Sequence, residues 1–103
     1  MDIIAHYAAI AASSGRMLAA ARAGDWDELI DAEEECAGRV AMLQALGHVA
    51  PRDEYERNTR VGLLKAILAH DAEIRELTEP WLAKLNTMLS DMGRGRRMRQ
   101  AYV

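Results

Sequence analysis

The sequence predicts an all-α fold: an antiparallel helical bundle of two shorter helices and one long third helix, ending in a short basic C-terminal tail. Three observations predict it. Ala contributes 19 of the 103 positions, Leu 11, Met 6 and Ile 6, against 4 Val and no Phe, a composition rich in helix formers and poor in strand formers. Apolar residues recur every three or four positions through three long segments. The breaks between those segments are few and carry helix-terminating residues. A chain of this length makes one domain, residues 1–103. With Ala at so many apolar positions its core is thin, and a partner is expected to complete it.

The first helix spans about Asp2 to Arg22. Ile3, Tyr7, Ile10, Ser14, Met17 and Ala21 fall on one stripe. Residues 3–12 are apolar, but Asp2 stands where an export signal needs positive charge, and Arg16 and Arg22 interrupt any continuation. Gly24 stands where a left-handed residue closes a helix. Asp25, with Glu28 three residues on, reads as a capping box for the next helix. A turn this short, Ala23-Gly24-Asp25, predicts antiparallel packing.

The second helix spans Trp26 to Leu46. Trp26, Leu29, Ile30, Cys36, Val40 and Leu43 share a stripe, with Asp27, Asp31, Glu34 and Glu35 mainly on the other face. Seven acids and no base stand in residues 25–35, which suits a helix N-terminus and reads first as a solvated face. Its other reading is a docking surface for a basic partner.

Gly47-His48-Val49-Ala50-Pro51 reads as a loop, and Asp53 with Glu56 offers a further cap. From there one stripe runs on without losing phase: Val61, Leu64, Ile67 or Leu68, Asp71, Ile74, Leu77, Trp81, Leu85, Met88 or Leu89, and Met92. That is one helix of about 40 residues, roughly 60 Å. Pro80 inside it predicts a kink, with a break at His70-Asp71 as the alternative. Gly93-Arg94-Gly95 is expected to end the helix, leaving a tail with Arg96, Arg97, Arg99 and Tyr102.

Charge is uneven: net −5 over residues 1–50, −2 over 51–92 and +4 over 93–103. An acidic body argues against direct nucleic-acid binding. No apolar run approaches the roughly 20 residues of a membrane span, so no membrane insertion is expected. A lone cysteine, Cys36, makes the cytoplasm the default compartment and reads as a small core residue. His6, His48 and His70 lie in different elements without metal-ligand spacing, and for His70-Asp71 surface placement is expected over a ligand pair. No catalytic residue, cofactor or metal site is predicted, and the chain does not read as an enzyme.

The helix lengths locate the shortfall. The first two helices, each about 32 Å, cover only about half of the third. The far half keeps Leu77, Trp81, Leu82, Leu85, Met88, Leu89 and Met92 on its stripe. Such a patch marks a binding site, covered either by a second copy in a homodimer or by a helix from another protein.

Gly24-Asp25-Trp26-Asp27-Glu28-Leu29, followed by Glu33 and Glu34, resembles the Gly-acid-Trp-Asp-x-Leu signature of the flagellar FliT family. Leu82-x-x-Leu85-x-x-x-Leu89 and the basic segment ending Gln100-Ala101-Tyr102 resemble the end of that family's long third helix. The resemblance implies a cytoplasmic, single-domain chaperone of type III export. It would bind the filament-cap protein through faces of the second and third helices, prevent its premature assembly, and hand it to the export ATPase and export gate components. It also implies protein-contact repression of the flagellar master transcription regulator in some members. Longer members carry a regulatory helix after the Ala-Tyr pair; here Val103 follows Tyr102 as the last residue of the sequence. The expected partner-binding set is Leu77, Trp81, Leu85, Met88, Leu89, Met92, Arg94, Arg97 and Tyr102. A helical dimerisation module and a transcription-regulatory module without an export client stay open beside this reading.

Overall fold

A computed structural model describes the backbone of residues 2–101 and the side chains of residues 2–91. Three helices follow one another: α1 (Ile3–Ala23), α2 (Trp26–Ala45) and α3 (Glu54–Ala101). The all-α fold with a long third helix is the one the sequence predicts.

The turn between α1 and α2 closes as the residues dictate. Gly24 takes φ +68°, and the Gly24 and Asp25 N–H groups donate back to Ala21 O at 3.1 Å and Ala20 O at 2.9 Å. This double bond pattern satisfies carbonyls that the helix end leaves without partners. Asp25 Oδ1 then accepts from Glu28 N at 3.1 Å and caps α2. The other half of the predicted capping box does not form, because the Glu28 carboxylate turns to Arg16 at 2.7 Å. Asp53 caps α3 as expected, accepting from Glu56 N at 2.8 Å.

α1 is the middle of the fold. It packs antiparallel to α2 and parallel to α3, while α2 and α3 approach each other through side chains only. This arrangement explains which residues of α1 are buried: His6, Ile10, Ser13, Ser14, Leu18, Ala20 and Ala21. A helix clamped on two sides buries more than one stripe. The single predicted stripe therefore missed His6, Ser13, Leu18 and Ala20. His6 is buried, and the surface placement expected at His70 is corrected, since its ring is half-buried against Ser14.

Ser13 and Ser14 point to opposite partners. Ser13 Oγ donates to Glu35 Oε1 of α2 at 3.2 Å. Ser14 Oγ lies 2.9 Å from Ala11 O and 2.8 Å from His70 Nδ1 of α3. A hydroxyl has one hydrogen; given to Ala11 O, it leaves the His70 Nδ1–H to donate to Ser14. Small side chains let the three helices approach, and Ala32 of α2 is fully buried where α2 meets α1. Arg16 reaches Glu28 and Glu35 across the α1–α2 seam, so two of the acids expected on a solvated face are paired. Arg22 pairs with Glu73 across the α1–α3 seam at 2.5 Å.

A polar knot fixes the start of α3. Glu56 is buried and accepts from Arg52 Nε at 2.8 Å and from the Arg60 guanidinium at 2.7 Å. Arg60 also donates to Val49 O at 2.5 Å and lies over the Tyr7 ring, 5.8 Å from its centroid. The two arginines hold the Glu56 carboxyl below the usual carboxylate range, Arg52 foremost. One side chain thus ties the α2–α3 loop, α3 and α1 together.

α3 passes through His70-Asp71 and Pro80 as one helix. It also passes through Gly93-Arg94-Gly95, correcting the expected stop there. Two glycines cost about 1 kcal/mol each against alanine, but the arginines around them favour a helix C-terminus. At 48 residues, α3 spans about 72 Å, and the molecule's long dimension is 70 Å. α1 ends where Arg22 meets Glu73, and α2 begins where Trp26 meets Trp81. Beyond Trp81, α3 projects past the hairpin for about 20 residues, roughly 30 Å.

Candidate partner-binding groove

The separation of α2 from α3 leaves an open groove, floored by α1 along its inner part. At one end Trp26 and Trp81 stack, ring centroids 5.1 Å apart and planes 25° from parallel. A cleft beside them is lined by Trp26, Leu29, Ile30 and Glu33 of α2 and by Thr78, Trp81 and Leu82 of α3. A second cleft lies farther back along the same gap. Ser14 and Met17 form its floor, Cys36 one wall, and Ile67, Leu68, Asp71 and Ile74 the other.

The groove exists because α2 leaves much of its apolar stripe uncovered. Of α2, only Ala32 is fully enclosed, and Ile30 remains 54% exposed. The expectation that the α2 stripe packs into the core therefore needs correction. Its Ala32 side meets α1, while Trp26, Leu29 and Ile30 line the cleft. Cys36 is half-buried in the second cleft. Burial, and after it Glu33 and Glu35, push its thiol up, so it stays protonated near neutral pH.

The predicted partner-binding residues divide into three sets. Trp81 is 42% exposed and is the one brought into the cleft. Leu77 is exposed and Leu85 half-buried, while Met88 and Leu89, 58% and 55% exposed, stand on the projecting part of α3. The side chains of Met92, Arg94 and Arg97 lie outside the described residues, as does Tyr102 altogether. The residues named from the sequence lie on α3 and the tail, although the second helix also carried a docking reading; the α2 wall of Trp26, Leu29, Ile30 and Glu33 was not singled out. Nor were the exposed Leu64 and Leu68 on the near half of α3.

Among the described residues, no three His, Cys, Asp or Glu side chains converge to hold a metal ion, and no helix is long and apolar enough to cross a membrane. The arrangement is suited to covering an apolar helix. The family model for flagellar protein FliT matches residues 4–103. The chain belongs to the FliT family. The crystal structure of flagellar protein FliT from Bordetella bronchiseptica is 34% identical in sequence and superimposes with a TM-score of 0.74. That match covers 84% of this chain and 99% of the Bordetella chain. No curated protein matches this chain. Membership of the FliT family makes this a flagellar protein. The Gly24-Asp25-Trp26 segment that carries the sequence resemblance supplies both the α1–α2 turn and one ring of the Trp stack.

Proposed function

We propose that this protein is a cytoplasmic flagellar export chaperone that shields a helical segment of the filament-cap protein before export. The observation that carries the reading is the apolar groove around Trp81, continued along α3 by Leu85, Met88 and Leu89. A folded chain that exposes this many large apolar side chains along one helix gains by covering them with another helix. Methionine suits such a surface because its thioether adapts to differently shaped partners. Arg94 and Arg97 lie farther along α3, Tyr102 follows it in sequence, and all three belong to the proposed contact set. The chemistry required is binding and release, and the groove supplies it without a catalytic group.

Co-purification tests this directly. Trp81→Ala and Leu85→Glu are expected to abolish capture of the cap protein while circular dichroism shows unchanged helicity. Undiminished capture by both variants would contradict the assignment of this surface.

A further inference from the structure

The charge around the groove says what kind of helix fits it. Of the acids in residues 25–35, Asp25 caps α2, and Glu28 and Glu35 are paired with arginines. The other four, Asp27, Asp31, Glu33 and Glu34, are exposed and make no ion pair among the described residues. Glu33 is the only charged side chain among those lining the Trp cleft. On α3, Arg75 is already held by Asp71. The cleft therefore has a carboxylate set among apolar side chains, and no cation among the described residues that line it.

Covering such a cleft has an electrostatic consequence. A wholly apolar helix laid over Glu33 strips water from the carboxylate and returns no partner, which opposes binding. A helix that brings an ammonium or guanidinium to the same place removes that penalty. We propose that the groove selects an amphipathic helix bearing Lys or Arg on the flank facing α2, with Glu33 as the selecting group. The apolar anchors of that helix meet Trp81 and Leu82, and its cation lies three or four residues from an anchor. Asp27, Asp31 and Glu34 add a negative field that draws a cationic segment in and turns an acidic one away. This inference rests on the groove being the partner site.

Three Trp-free synthetic peptides test it, identical in their amphipathic sequence except for flank residues of Lys, Gln or Glu. Fluorescence of Trp26 and Trp81 reports binding at low salt. The wild-type chain should bind the Lys peptide about fivefold more tightly than the Gln peptide and the Glu peptide least, as expected for a partly exposed ion pair. Glu33→Gln should remove most of the Lys-to-Gln preference with the Gln peptide's affinity kept, and 1 M salt should bring the ratio close to one in the wild type. Equal binding of the Lys and Gln peptides by the wild type would overturn the selection while leaving the groove as the partner site. A preference undiminished in Glu33→Gln would overturn the role of Glu33. Exclusion of all three peptides, including by a dimer seen in sedimentation to close the groove, would overturn both the selection and the site.

Discussion

Arg60 ties three parts of the molecule together. Its guanidinium joins Val49 O, the Glu56 carboxylate and the Tyr7 ring, and so docks the loop before α3 onto α1. Glu56, in turn, is held in its charged form by Arg52 and Arg60, and Glu35 by Arg39 and Arg16. Both carboxyls lie below their ordinary range in the folded state. A depressed folded pKa contributes stability above the unfolded value, and that contribution is lost as pH falls through the folded value. The Tm should therefore hold from pH 7 to about 5.5 and fall below about pH 4.5, near the ordinary glutamate range. Glu56→Gln should begin with a lower Tm at pH 7 and lose less of it on acidification. Parallel slopes for the two proteins in thermal melts across that range would contradict the role given to Glu56. The i,i+4 spacing of Arg52, Glu56 and Arg60 and of Glu35 and Arg39 was open to reading in the sequence, but the burial of Glu56 and the reach of Arg16 from α1 to Glu35 depend on how the helices pack.

At the scale of the element, α3 sets the character of the protein. Its apolar stripe, Val61 to Met92, kept phase for about nine turns in the sequence, and one helix resulted, through Pro80 and beyond the Gly93-Arg94-Gly95 segment. An interior proline costs about 3 kcal/mol against alanine. Pro80 leaves the carbonyl of Glu76 without its usual N–H partner in the helix. Pro80→Ala restores that bond, so amide exchange over residues 76–84 should slow by at least about tenfold. Unchanged exchange there would show that the proline imposes no local weakness. The existence of all three helices, both aspartate caps and the left-handed Gly24 could be read directly from the sequence, since each depends on residues within one turn. The role of α1 could not. Its Ala and Ser residues suit a helix packed on one side or on two, and only the course of α3 decides between them. The same ambiguity hid the α2 wall of the groove: Trp26, Leu29 and Ile30 have the spacing of core residues, and α2 faces open space there because α3 packs on α1 instead.

The whole molecule is an elongated body, 70 × 27 × 19 Å, with a radius of gyration of 19.5 Å. A compact chain of this length has about 13 Å. The excess comes from the projecting end of α3, which α1 and α2 do not reach. Stability and binding are therefore separable along the chain. Deleting residues 86–103 should leave the Tm within about 3 °C of the full chain, because the seams at Arg16, Arg22, His70 and Arg60 are all retained. The same deletion should remove Met88 and Leu89 and with them most affinity for the cap protein. A collapse of the Tm would mean that the projecting segment folds back on the body. The shortage of core read from the alanine content is thus a division of labour, with a small three-helix clasp at one end and an open helix face at the other.

Hydrogen–deuterium exchange of the full chain, alone and with the filament-cap protein, shows whether the groove and the stripe beyond it are the partner surface. Bound cap protein is expected to slow exchange in residues 26–33 and 77–89, the two walls of the Trp cleft and the stripe beyond it, and to leave the exposed side of α1 unchanged. Slowing confined to α1, or no slowing in either wall, would contradict that placement.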